Sequence, residues 1–379
     1  MSNSINTFNA IKNIYISYNN QTIKRERESS VDIDSSLSIP EVKRRRKLTY
    51  FNGNGQKKWE IQNPLIIEDV NISSSLARFR RKSISAAEKK RDLTPIRILG
   101  LSFIFPVNKF DSVNCISSYL EEEVAVALER EAYKGIQLPK VSGLAVLYCK
   151  QLIDEEDIQP SFAATSDLDD AVVELAKSFF TGSAMANDRS EASFTMKFLW
   201  PVLQMMLLDG ADEDTVFSVV DVTEEGRSCK PDFQLGLKNR KREVYFFFVE
   251  VKRPNKQSKY QEEDDFVKLL KQLKTSLDRQ LLLGMKNPIS FGLLCEGFHC
   301  SLYRMSLKAE GVYMPVMIKR FSLVSNSSEL MNTPLIVEAI GAVKNEFASF
   351  KAKYQERTKE EVEKMSNLMK PSFVTKFKK

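Results

Sequence analysis

Histidine is almost missing from this chain: His299 is the only one in 379 residues. Sites built on paired imidazoles cannot be assembled from it. That removes HExxH metalloproteases, Cys2His2 fingers and His-metal nucleases, and leaves a Ser-His-Asp hydrolase only if His299 is its base. His299 stands in Glu296-Gly297-Phe298-His299-Cys300, a strand or hairpin position where an imidazole is ordinarily a surface or half-buried group. Cysteine is also scarce. Cys115, Cys149, Cys229, Cys295 and Cys300 form no CxxC pair, and an odd, scattered set suits a reducing compartment better than a disulfide scaffold. No apolar run approaches the ~18 residues of a membrane helix, and the first residues lack a signal peptide's apolar core. The expectation is a soluble intracellular protein with no membrane partner.

What is present supports a folded core. Hydrophobic residues make up 42% of the chain, and the length suits two or three domains or one large domain with tails. Charge is uneven. Residues 1–95 hold 18 Lys/Arg against 10 Asp/Glu, a net of +8, and the remainder holds 38 against 40, a net of −2. Residues 1–92, rich in Ser, Asn, Lys and Arg, read as a disordered basic arm. Within it, Lys43-Arg44-Arg45-Arg46-Lys47 is a candidate contact for a nuclear import receptor or a phosphate backbone, so nuclear rather than cytoplasmic residence is expected. Arg78, Arg80, Arg81 and Lys82 form a second basic cluster, and Lys89-Lys90-Arg91 a third.

From Ile96 the composition turns apolar. Residues 96–106 read as strand-like or as a buried segment ending at Pro106, and residues 120–133 as a helix with acidic residues in its first turn. Residues 96–160 are expected to be a small α/β elaboration or subdomain. A helix is predicted over 167–180, and a second opens at Ser190-Glu191. Glu191, Phe194, Phe198, Val202 and Met205 share a stripe on it, and Pro201 is expected to kink it.

The most informative stretch follows. Lys230-Pro231-Asp232-Phe233 opens an apolar run ending at Leu237, and Lys238 to Arg242 is a solvated turn. Val244 to Val249 then reads VYFFFV, a β-branched and aromatic run without a polar face that wants burial on both sides of a sheet. It ends in Glu250-Val251-Lys252, and Pro254 closes it. Residues two apart on a strand share a side, so Glu250 and Lys252 project together. In a hairpin, Asp232 opens one strand where Glu250 closes the next. Two carboxylates then form an oxygen site for a hard cation, with a lysine beside it to stabilise charge on a phosphate or orient a water.

Pro231-Asp232 followed by Glu250-x-Lys252 on the next strand resembles the PD-(D/E)xK nuclease superfamily. The KPDF segment, the aromatic strand ending in EVK and the EGFHCSLYRM hairpin look like fungal members of it. The resemblance implies an α/β, restriction-endonuclease-like mixed sheet flanked by helices over residues 165–325. It also implies Mg2+-dependent (or Mn2+-dependent) phosphodiester hydrolysis of DNA or RNA. Asp232 and Glu250 would hold the metal with the Val251 carbonyl, Lys252 would serve the attacking water, and Glu191 matches the carboxylate that the preceding helix commonly contributes.

Further elements keep the expected order. An amphipathic helix is predicted over 262–283 with Phe266, Leu269, Leu270, Leu273, Leu277 and Leu281 as its stripe, and Gln272 sits on the flank. Strands are expected at 289–295, 298–307 and 312–321, then a helical segment and basic tail over 330–379. Two readings remain besides hydrolysis. One is a catalytically inactive nuclease-fold protein acting as a nucleic-acid-binding or protein-interaction module, and the other is a buried hairpin whose ends carry ordinary solvated charges.

Overall fold

Apolar residues at helical spacing put Ile72, Leu76, Phe79, Ile84 and Ala87 on one buried face, and Asn71 caps the segment by accepting from Ser74 N at 2.9 Å. Helix α1 (Ile72–Glu88) results, so ordered structure reaches well into the stretch expected as a disordered arm to residue 92. The basic residues hid this: all but the buried Arg80 lie on the outer face. The computed structural model describes residues 48–49, 59–89, 93–110, 112–154, 164–181, 191–219, 231–239, 242–252, 264–357, 362, 367–373 and 376–377. These fall in one compact unit, 47–379. The block 43–47, Lys90 and Arg91 lie outside the described residues.

Helix α2 (Pro95–Leu101) starts on a proline at its first position, so of the two readings of 96–106 the buried segment holds and its first part is helix rather than strand. It lies so close to α1 that a Cβ on Gly100 would stand 2.6 Å from the Phe79 ring. After it, Phe105 N and Val107 N bond to Tyr313 O and Pro315 O at 2.9 and 2.8 Å, laying this segment along a sheet edge. Helices α3 (Glu122–Tyr133) and α4 (Gly143–Asp154) make the described part of 96–160 mainly helical, and α5 (Asp167–Thr181) follows. Helix α6 (Glu191–Phe194) continues through π-type turns at Thr195–Leu199 and Gln204–Leu208, either side of Trp200–Leu203. Pro201, which lacks an N–H, sits between those widened turns.

Six strands form a mixed sheet in sequence order: β1 (Thr215–Val219), β2 (Phe233–Asn239), β3 (Arg242–Lys252), β4 (Ile289–Glu296), β5 (His299–Ala309) and β6 (Val312–Ser322). All neighbours are antiparallel except β3 and β4, which run parallel. The connection between them is helix α7 (Asp265–Leu282), as a parallel pair requires. Gly297 and Gly311, both at positive φ, make the tight turns before β5 and β6.

One irregularity decides which way the motif faces. Leu235 pairs with Phe247 and Gly236 with Tyr245, so Phe246 is an extra residue in β3. Its ring packs on Phe347 and Phe350 of helix α8 (Thr333–Gln355), with centroids 5.7 and 4.9 Å away. Beyond the bulge the alternation is inverted, so Glu250 and Lys252 face α7 on the opposite side of the sheet. Gly236 is required here: a Cβ would stand 2.2 Å from Val244 O.

The helix α7 stripe expected from the sequence is buried throughout, and α8 covers the other face. The end of the chain packs back: Lys370 Nζ bonds Glu310 at 2.6 Å and Phe373 is buried. Among the described residues, no helix is long and apolar enough to cross a membrane.

Candidate functional site

Asp232 enters β2 with its N–H on Val249 O at 2.9 Å, and Phe233 pairs with Val249. That register sets Asp232 beside Glu250. Its Oδ2 accepts from Val251 N at 2.6 Å, which fixes the carboxylate across the hairpin. Glu250 itself is 1% exposed. Its two oxygens are met from α7: Gln272 Nε2 donates to Oε1 at 2.7 Å and Lys268 Nζ to Oε2 at 2.6 Å. Lys252 shares that side, and its Nζ reaches Asp265 Oδ2 at 3.1 Å.

Helix α7 can present these groups because Asp265, Lys268 and Gln272 are spaced three and four apart and fall on one face. Asp264 fixes the start of the helix by accepting from Val267 N at 2.8 Å. The helix begins where the chain must turn back from the end of β3 to begin parallel β4. Its first turns therefore cover the Glu-x-Lys end of that strand.

The electrostatics follow from burial. Desolvation pushes the Glu250 carboxyl up to about 8, with Asp232 adding to the rise and Lys268 opposing it. Asp232 is raised for the same first reason, against the Val251 N–H and Lys268. Burial alone would lower the Lys268 ammonium, and Glu250 outweighs that and raises it. Among the described residues Asp232, Glu250 and Asp265 outnumber Lys252 and Lys268 by one charge, so these five together favour one more positive charge, whether proton or cation.

The sequence-derived residues are thus divided. Asp232, Glu250, Val251 and Lys252 come together. Lys252 contacts Asp265, and the ammonium on Glu250 is that of Lys268, which the sequence reading passed over. Gln272, placed on the flank of its helix, bonds the central carboxylate. Glu191 stands exposed in the first turn of α6 and does not enter this hydrogen-bonded set. Its helix lies at the same end of the sheet: Phe194 and Phe198 pack on Phe298 at 5.1 and 4.9 Å, and the neighbouring Gly297 N donates to Lys252 O at 2.6 Å. His299 is exposed, with Nδ1 3.3 Å from Ser322 Oγ.

Two observations bear on a divalent cation here. No group of three or more Asp, Glu, His or Cys is placed to hold a metal among the described residues. Mg2+ is nonetheless commonly held by one or two carboxylates, with water and substrate phosphate completing its shell. Gln272 Oε1 is a buried acceptor without a hydrogen-bond partner among the described residues, beside Glu250. An orphaned acceptor next to two proton-hungry carboxylates fits a hard cation or its water. Lys268 would have to give up Glu250 Oε2 to admit it. No protein-family model, curated protein or solved structure matches the chain.

Proposed function

We propose that the chain is a metal-dependent phosphodiesterase acting on nucleic acid, with a restriction-endonuclease-like core. The observation that carries this reading is the pairing of two desolvated carboxylates, Asp232 and Glu250, across one hairpin with lysines beside them. The order of elements supports it: a helix, three antiparallel strands, a crossover helix and a parallel strand, with the aspartate opening the second strand and Glu-x-Lys closing the third.

In this reading Asp232 and Glu250 hold Mg2+ or Mn2+ with the Val251 carbonyl, and Glu191 approaches from α6. The ion would supply Lewis-acid polarisation of the phosphate and a more acidic bound water. The chain's own part is to prepare the charges. Glu250 must surrender its proton from the carboxyl group before it can ligate. Lys252, steadied by Asp265, holds an ammonium where negative charge grows on the phosphate and orients the attacking water. Gln272 keeps the Glu250 carboxylate turned toward Asp232.

One observation favours a second reading, a nucleic-acid-binding or protein-interaction module that does not cut. Lys268 already neutralises Glu250 at 2.6 Å, so the site can be complete without a metal. Purified protein incubated with single- and double-stranded DNA and RNA in Mg2+ or Mn2+ separates the two. Hydrolysis abolished by EDTA, by Asp232→Ala and by Lys252→Ala is the expected result. No cleavage, together with no heat of Mn2+ binding in calorimetry, would sink the nuclease reading and leave the binding module.

A further inference from the structure

The exposed side of α1 carries a feature the site above does not use. With α2 it walls an open groove of about 700 Å3 lined by Arg78, Arg81, Lys82, Ser85, Lys89 and Arg97, and among the described residues no carboxylate lines it. Arg80, part of the same run of basic letters, is excluded. It is 1% exposed and lies 4.0 Å from the centroid of the Phe103 ring. The helix has sorted a run of like charge into one buried arginine and a cationic stripe.

We propose that this groove binds the phosphodiester backbone of a nucleic acid. The stripe runs through positions 78, 81, 82, 85 and 89, a length of about 16 Å at 1.5 Å per residue. At one phosphate per ~3.4 Å of duplex axis on each strand, that length faces about five phosphates. Arg97 is preorganised: its guanidinium lies 5.6 Å from the Phe79 ring and 5.3 Å from that of Tyr119. Its Nη1 also donates to Ser83 Oγ at 3.4 Å. A fixed guanidinium fork suits a phosphate. Arg78 is paired with Glu121 at 2.7 Å, so the other cations carry the binding. A membrane-surface helix would set large apolar side chains beside its charges, and none of the exposed large hydrophobic residues belongs to α1 or α2.

The inference rests on the groove's own charges and shares with the nuclease reading only the class of polymer. Binding is therefore measured in EDTA, where the outcome of the cleavage assay has no bearing. Full-length protein is titrated into labelled single-stranded and duplex oligonucleotides over a range of salt, beside Arg81→Gln/Lys82→Gln/Lys89→Gln. A control of equal charge change, Lys150→Gln/Lys286→Gln/Lys344→Gln, lies at exposed positions elsewhere. The groove variant should bind about tenfold or more weakly, with a slope of log affinity against log salt shallower by about 2–3. The control should move neither quantity by as much. Equal affinity and slope for wild type and groove variant would overturn the proposal, as would an equal loss in the control. Phosphatidylserine vesicles form the last arm: loss of vesicle binding with nucleic-acid binding intact would overturn it in favour of a lipid surface. Circular dichroism and melting of each variant exclude misfolding as the cause.

Discussion

Lys268 Nζ stands 2.6 Å from Glu250 Oε2, a residue of the crossover helix seated on the last buried carboxylate of the strand it follows. Glu250 is buried, Lys268 is only partly exposed, and Asp232 acts on both. The pair is therefore held in balance by its neighbours.

Glu250→Gln should expose that balance through pH. Burial raises the folded carboxyl from 4.5 to about 8. The native state thus holds the proton more tightly, so Glu250's contribution is full below the unfolded value and is lost as pH rises through about 8. Wild type should lose melting temperature between pH 5 and 9 relative to Glu250→Gln. Each kcal/mol corresponds to about 2–4 °C in a domain of this size. Parallel melting curves across pH would refute the assigned burial.

Lys268→Met removes the resident ammonium and leaves two desolvated carboxylates facing each other. Breaking such a pair costs about 3–5 kcal/mol, read as a lower urea midpoint at pH 8. Millimolar Mg2+ should restore more of the loss in this variant than it adds to wild type. Equal metal effects in both proteins would show that lysine and cation do not compete.

Metal stabilisation of the wild type should itself depend on pH. A cation on Glu250 competes with its proton, so the Mg2+-induced rise in melting temperature should grow from pH 6 to pH 9. A rise that is flat or shrinks with pH would remove Glu250 from the ligand set.

Gly236→Ala places a methyl 2.2 Å from Val244 O, where only backbone movement can make room. Overpacking of this kind costs about 1–3 kcal/mol, occasionally more. Because the same bulge turns Glu250 toward α7, cleavage should fall along with stability. Glycine alone, among residues tried there, should keep both.

The sheet was legible because its strands advertise themselves. VYFFFVEV cannot sit comfortably anywhere but mid-sheet, and the strands at 289–295, 298–307 and 312–321 were placed within two residues at each end. Asp232, Glu250 and Lys252 could be brought together from strand parity near the motif itself. Parity counted from Phe246 would have failed, since the bulge there leaves no mark in the letters. Helix α1 was missed because composition averages over faces: its apolar residues are few but fall on one side. Lys268 and Gln272 were underrated because the α7 stripe was drawn from apolar residues alone. The second stripe, Asp265, Lys268 and Gln272, was readable beside it, on a helix that had to begin at the end of β3. Residues 96–106 are largely buried, one of the two readings the letters allowed, and the helix within them stayed hidden because seven residues started by proline are too few to show a period.

The seating of α7 reaches beyond the site. Ser276 Oγ donates to Tyr245 O, Gln280 Nε2 to Ile289 O at 2.8 Å, and Ile289 N returns a bond to Gln280 Oε1 at 3.1 Å. With Asp265, Lys268 and Gln272 these rivet the helix to β3 and β4 over about 22 Å of its length. Leucines alone would tolerate a rolled or slipped helix, since one methyl packs much like another. Polar groups that each have one address would not. The spacing between Lys268 and Glu250 is thus dictated as much by Gln280, at the far end of the rod, as by anything adjoining the carboxylates.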